Sequence, residues 1–201
     1  LSDNLLVDSS MIVVVGHGFG GTLAHRIAKA SDGVFSAVIM VGSTALSYED
    51  YLLRHSNLSS HTADELKAYQ DTLDKLSKMK EQTALENTET VLGHSVYYFW
   101  ELQKTKNYEL IRKLRLPTYI VQGKKDPLVP ENEGWRQYNN KIGEGVKYVT
   151  YRSFPGLNHV LMSDSSTDAY GLPQYTENAT LDISAGRSIG QWILSLKSTA
   201  E

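Results

Sequence analysis

The chain has 201 residues, with 20 Lys plus Arg against 23 Asp plus Glu, a formal net charge of -3, 41% hydrophobic residues and no cysteine. Such a composition excludes fibrous, collagenous and wholly disordered chains, and the length suits one substantial domain. The charge balance lacks the basic stripe a nucleic-acid partner requires; the missing Cys rules out disulfides, thiol chemistry and a Cys-built zinc site; and no run approaches the ~18 apolar residues of a membrane span.

The opening text LSDNLLVDSS is not a signal peptide, and a start at Leu1 rather than Met leads us to expect a mature or excised fragment. Met11 to Val15, MIVVV, is an unbroken apolar run of the kind a buried parallel strand needs, and Gly16-His17-Gly18-Phe19-Gly20-Gly21 follows it directly. Thr22 to Ala30 reads as a helix, with Leu23, Ile27 and Ala30 on one face and Ala24 and Ala28 permitting close packing. Val34 to Val41 is the next strand, completing a βαβ unit.

From residue 48 to residue 110 the character changes to helical. Thr62-Ala63-Asp64-Glu65 is a capping box, and the spacing of Leu66, Tyr69, Leu73, Leu76 and Lys80 predicts one helix running to about Glu86. Its opposite face carries Lys67, Asp71, Asp74, Lys75 and Lys78, a pattern suited to packing on a body or covering a cleft. HSVYYFWEL, residues 94–102, is rich in aromatics, and Asn107 to Leu114 reads as a short helix. Asn57-Leu58-Ser59 and Asn178-Ala179-Thr180 fit the glycosylation triplet, a pattern common by chance.

The βα rhythm resumes with the strand TYIVQ at 118–122, which stops at Gly123 and gives way to the loop KKDPLVP. Glu131 to Ile142 is predicted helical, Val146 to Arg152 a strand, and FPGLNH a turn away from it. A loop over Ser163 to Ala179 leads to a closing helix from about Asp182 to Leu196, expected to pack through Ile183, Ile189, Ile193 and Leu196. The organisation is therefore a core of residues 1–47 and 111–201 with an insertion at 48–110.

Strand, glycine-rich turn and helix first suggest a dinucleotide site, since Gly16, Gly18 and Gly21 satisfy G-x-G-x-x-G. That site also needs an acidic residue at the end of the next strand, and here the strand ends in VGST. The alternative is a nucleophile elbow, in which glycines flank a central residue because the strand-to-helix turn leaves no room for side chains. Gly18 stands at that centre. Asp126 follows one strand end and His159 another, and ends of parallel strands emerge at one edge of a sheet. The order Gly18, Asp126, His159 is that of the Ser…Asp…His class, in which His is the general base and Asp fixes its tautomer. Taken singly, Asp126 before Pro127 reads as a turn former and His159 as a surface histidine. Asn158 suits local shaping of the loop, and His17 local packing or hydrogen bonding. His25, His55, His61 and His94 lack ligand spacing, so no metal and no cofactor is expected.

The chain resembles the C-terminal two-thirds of an α/β-hydrolase: VVVGHGFGG matches the elbow, with Gly18 aligned to the nucleophilic Ser, and LRLPTYIVQGKKDPLVP matches the penultimate strand and acid loop. FPGLNHVLM is similar to the histidine block of the dienelactone-hydrolase and prolyl-oligopeptidase-like branch. YYFWEL, YIVQGKKD and PGLNH…YTENATLD further resemble bacterial secreted or lipid-anchored hydrolases of that branch, described as esterases or peptidases. The resemblance implies a three-layer sandwich on a mostly parallel sheet with a helical cap at 48–110, and hydrolysis of carboxylic esters or short peptide-like acyl compounds. It implies Asp126 and His159 as catalytic partners of position 18 and the Phe19 N–H as an oxyanion donor. His17, Tyr97, Tyr98, Phe99 and Trp100 are candidate substrate contacts, although an aromatic stripe equally suits the core of the cap. A secreted or cell-surface location, otherwise a cytoplasmic one, goes with it.

Two departures stand out. Gly18 has no Oγ, so the covalent acyl-enzyme route is closed to this form, and a non-catalytic ligand-binding or sensor protein is the alternative reading. A third is an interaction domain whose middle helices bind a partner. Only ten residues precede MIVVV, which would leave an apolar strand at a sheet edge; the remaining half of the fold is expected from a longer chain or a partner.

Overall fold

A computed structural model describes residues 7–47, 50–51, 62–76, 78–91, 94–104, 106–163 and 180–197. In chain order the elements are β1 (Val13–His17), α1 (Phe19–Ala30), β2 (Ala37–Val41), α2 (Ala63–Leu76), α3 (Glu81–Glu86), β3 (Thr90–Val91), β4 (His94–Ser95), α4 (Val96–Lys104), α5 (Asn107–Leu114), β5 (Thr118–Gly123), α6 (Trp135–Ile142), β6 (Val149–Phe154) and α7 (Ile183–Lys197). They fall into two compact units, Leu1–Ala45 with Asn107–Glu201, and Leu46–Lys106.

The first unit is built on a four-stranded sheet in the order β1-β2-β5-β6, with every neighbouring pair parallel. Every residue of β2 and of β5 is buried, as strands covered on both faces must be, including the polar Thr118 and Gln122 of β5. The alternation of a strand divides those residues between two cores. Val38, Met40 and Ile120 meet Ala24 and Ala28 of α1, Ile111 of α5 and Tyr138 and Ile142 of α6. On the opposite face Ile39, Val41, Tyr119 and Val121 meet Ala185, Ile189, Trp192 and Ile193 of α7. Tyr119 also stacks on Trp192 at 5.0 Å between ring centroids, and its hydroxyl bonds Ser188 Oγ at 2.7 Å. Helices on both faces of a parallel sheet make a three-layer α/β sandwich, consistent with the α/β-hydrolase fold that the resemblance implies. At one margin of the described sheet stands β1, where Val15 is 59% exposed.

Several local expectations shift. In α1 the buried stripe is Gly21, Ala24, His25 and Ala28, whereas Ile27 is 46% exposed. Small side chains bring the helix close to the sheet, and that gain outweighs burying the larger Ile27. In α7, Ile183 is 76% exposed, and Ala185 and Trp192 share the packing with Ile189 and Ile193. The first strand after α1 begins at Ala37 rather than Val34, following the turn in which Gly33 takes φ +85°. Trp135 rather than Glu131 opens α6, because Glu133 and Gly134 N–H groups close a turn on the Pro130 carbonyl at 2.9 Å. The last strand spans Val149–Phe154, its end paired with Gly123.

In the second unit the capping box forms in both directions: Thr62 N–H donates to Glu65 Oε2 at 2.7 Å, and Glu65 N–H to Thr62 Oγ1 at 3.3 Å. The single helix expected to Glu86 is instead two. After Leu76 the chain turns, with the Met79 N–H bonded to the Leu76 carbonyl at 3.0 Å, and Lys80 is extended before α3. The turn lets Met79 pack on the Tyr69, Leu76, Val96 and Phe99 cluster and accept the Trp100 indole N–H at 2.9 Å. Helix periodicity gives way there to tertiary contact. The first glycosylation triplet, Asn178 and Ala179 of the second, His55, His61, the loop residues 164–179 and the side chain of Leu73 lie outside the described residues.

Candidate active site

Because the strands are parallel, β1, β2, β5 and β6 all end at the same edge, and each contributes one piece of the site there. After β1 the backbone turns sharply into α1 through Gly18, at φ 55° and ψ -125°. Residues bearing a Cβ are strained in that region, while glycine adopts it freely. The turn is held from both sides. Gly18 N–H donates to the Val41 carbonyl at 2.8 Å, and the Gly18 carbonyl accepts Gly21 N–H at 3.1 Å and Ser43 Oγ at 3.0 Å. A Cβ on Gly16 would collide with the Gly20 carbonyl, which accounts for the spacing of the glycine motif.

Past β5, the Asp126 carboxylate is wholly buried. Its Oδ1 accepts the Leu128 and Val129 N–H groups, each at 2.9 Å, and its Oδ2 receives His159 Nδ1 at 2.8 Å. The turn-forming reading of Asp126-Pro127 and the orienting one therefore describe the same side chain, one oxygen for each. Past β6, Asn158 Oδ1 accepts Val160 N–H at 3.1 Å and Met162 N–H at 3.0 Å, which folds the loop around His159. The imidazole rests against Gly42, where a Cβ would lie 3.0 Å from Nδ1 and 3.1 Å from Cε1. A side chain there would sit at φ +56° and push the ring by a few tenths of an ångström.

A carboxylate oxygen only accepts, so His159 Nδ1 carries a proton, and in the neutral ring Nε2 presents a lone pair. That lone pair faces position 18: a Cβ built on Gly18 lies 3.3 Å from Nε2 and 3.7 Å from Cε1. Residues 18, 126 and 159 thus meet at one point. His17 ties the arrangement from outside. Its Nε2–H donates to the His159 carbonyl at 2.9 Å, and the two rings lie 4.5 Å apart. The Phe19 amide opens α1 immediately after Gly18, at the positive end of the helix dipole. Gly42 and Ser43 were not singled out as site residues from the sequence; the glycine closing the β2 run in VGST was their only local signal.

His25 stands apart from this site. It is fully buried, its Nε2 bonds Thr118 Oγ1 at 3.0 Å, and its Nδ1 has no partner. Thr118 spends its own proton on the Leu116 carbonyl at 2.8 Å, so His25 donates from Nε2 as a neutral ring. Burial lowers its pKa to about 4.

Within the second unit the aromatic stripe divides. Phe99 is 1% exposed and meets Tyr69 edge-to-face at 5.1 Å, a core position. Tyr97 stacks on Trp100 at 5.7 Å, Tyr98 stacks on His94 at 4.8 Å, and Lys104 Nζ lies 4.6 Å from the Trp100 ring centre. Leu76, Met79, Trp100, Gln103, Lys104 and Lys106 line a cleft of about 430 Å³. Among the described residues no group of His, Asp or Glu is arranged to hold a metal ion, and no helix is long and apolar enough to cross a membrane.

Comparison with known proteins adds a family. The pattern of the prolyl oligopeptidase family matches residues 1–174. Esterase EstD of Thermotoga maritima is 24% identical over 193 residues, which are 93% of this chain and 43% of that protein, so the chain spans less than half the length of this curated relative. Among solved structures, the monoacylglycerol lipase of Paleococcus ferrophilus aligns with a TM-score of 0.49 at 17% identity, covering 92% of this chain and 69% of that one. The acylaminoacyl peptidase of Pyrococcus horikoshii aligns with a TM-score of 0.45 at 16% identity, covering 76% of this chain and 20% of that one.

Proposed function

The chain belongs to the prolyl oligopeptidase family, and from that premise we propose a serine-hydrolase scaffold for carboxylic esters or short peptide-like acyl compounds, with Gly18 standing at the nucleophile position. One observation carries the reading: the His159 Nε2 lone pair, oriented from behind by Asp126, faces the Cβ site of residue 18 at 3.3 Å. A hydroxyl on that Cβ comes within hydrogen-bond reach of Nε2. In the Ser-bearing form Oγ attacks the acyl carbonyl while Nε2 takes its proton, and Asp126 stabilises the resulting imidazolium. The Phe19 N–H, at the start of α1, receives the developing oxyanion. Residues 48–110 are read as the cap insertion, and Tyr97, Tyr98 and Trp100 as its candidate substrate contacts. Esters are the first substrates to try, in keeping with the name of the Thermotoga relative.

With glycine at 18 there is no Oγ, so this form takes no acyl group covalently. That single residue favours the second reading, a ligand-binding or sensor protein on a hydrolase body. The test is the Gly18→Ser protein given short-chain p-nitrophenyl esters and a fluorophosphonate probe. Ester hydrolysis with labelling at residue 18 is expected. A folded Gly18→Ser protein that neither hydrolyses nor labels would remove the hydrolase reading and leave the binding one.

A further inference from the structure

We infer that the Gly18 chain is itself a slow acyl-transfer catalyst, in which the His159–Asp126 pair activates a small external nucleophile, water or a short alcohol, hydrogen-bonded to His159 Nε2 beside Gly18. The inference rests on the acyl-hydrolase reading above and extends it to the form that lacks Oγ.

The base does not depend on residue 18 for its construction. Asp126 spends one oxygen on the Leu128 and Val129 N–H groups and the other on His159 Nδ1. The imidazole is seated on Gly42, and its backbone carbonyl is tied by His17. A neutral imidazole so held keeps its accepting nitrogen aimed at one place whether or not a hydroxyl is bonded there. Among the described residues, apart from residue 18 and its two chain neighbours, the only atoms within 4 Å of the Cβ site are Nε2 and Cε1 of His159. A water or methanol is not bonded to Gly18 Cα and so stands at contact distance from it rather than on the Cβ site, with its hydroxyl hydrogen-bonded to Nε2. The strained backbone that presents residue 18 is kept by glycine, at φ 55°.

The chemistry balances without a covalent enzyme intermediate. The nucleophile's oxygen forms a bond to the acyl carbon as its O–H proton passes to His159 Nε2. The tetrahedral oxyanion then re-forms its carbonyl, breaks the bond to the leaving alkoxide, and that alkoxide takes the proton from Nε2. Water yields acid plus alcohol, and methanol yields the methyl ester plus alcohol. What the free nucleophile forfeits is tethering, whose advantage reaches the order of 10⁵–10⁸ M in effective concentration. The Gly18 chain should therefore be far slower than its Gly18→Ser form yet rise in proportion to added methanol.

The experiment gives p-nitrophenyl butyrate to the unaltered chain, to His159→Gln and to Gly18→Ser, with methanol or tert-butanol added to matched volume fractions and products read by mass spectrometry. The unaltered chain is expected to release nitrophenol without a burst. It should form methyl butyrate linearly with methanol, several-fold above His159→Gln, and no tert-butyl ester. If Gly18→Ser hydrolyses the ester while the unaltered chain equals His159→Gln at every methanol concentration, the inference falls and the acyl-hydrolase reading stands. A methanol response that survives in His159→Gln also overturns it. If Gly18→Ser is folded by circular dichroism but inert, the reading and the inference fall together. Should Gly18→Ser not fold, the comparison of the unaltered chain with His159→Gln still decides the inference.

Discussion

Adding a methyl at residue 18 tests the elbow directly. Gly→Ala at an ordinary backbone position stabilises a protein by about 0.4–1 kcal/mol, because the unfolded chain loses freedom. At φ 55° and ψ -125° the sign should reverse, since a Cβ-bearing residue in such a region costs on the order of 1–3 kcal/mol. The new Cβ also lies 3.3 Å from His159 Nε2, tight enough that the ring must give slightly. For a chain of this size each kcal/mol moves the melting temperature by roughly 2–4 °C, so Gly18→Ala should melt roughly 2–12 °C lower. Gly18→Ser carries the same backbone strain but regains about 0.5–1.5 kcal/mol through a hydrogen bond to Nε2. The expected order of melting temperature by far-UV circular dichroism is glycine, then serine, then alanine. An alanine variant as stable as the parent would mean that residue 18 is not held at positive φ, and the presentation of that residue to His159 would go with it.

Other perturbations have equally definite outcomes. Burial holds His25 at about 4 against 6.5 in the unfolded chain, so the unfolded state binds the extra proton between those values. His25 therefore leaves stability intact above about pH 6.5 and removes it as pH falls toward 4, by roughly 3 kcal/mol in all. Urea unfolding at pH 7 and pH 4.5 should show a loss that His25→Gln largely abolishes, and an unchanged slope in that variant would refute the assignment. Asp126→Asn retains an oxygen for the Leu128 and Val129 N–H groups but sets the wrong His159 tautomer. In the Gly18→Ser background it should lower kcat by about 10³–10⁴ while the melting temperature moves little. Gly42→Ala puts a methyl 3.0 Å from His159 Nδ1 and should displace the ring, abolishing ester hydrolysis by Gly18→Ser in a protein that still folds.

Much of the site was legible in the sequence because its signals are local. A run of apolar residues ending in spaced glycines specifies a strand, a tight turn and a helix. Asp126 and His159 each follow a strand by a few residues, and parallel strands bring such positions to one edge. The same local logic located the capping box of α2 and the strands β2 and β5. It failed where neighbours distant in the chain decide. Ala24 and Ala28 pack closely as expected, but periodicity also put Ile27 on the packed face, and it is 46% exposed. Periodicity likewise ran one helix from Thr62 to Glu86, but Trp100 and the Tyr69 cluster draw Met79 into a turn. Nor does any window of sequence contain the bond from His17 to the His159 carbonyl, made across 142 residues. Gly42 is likewise defined only by the ring that rests on it. Which residue types can form an elbow, an acid loop and a histidine loop is a property of the sequence read a few residues at a time. Whether the lone pair of one loop meets the turn of another depends on strand register and on the space between side chains, and those exist only once the sheet has formed.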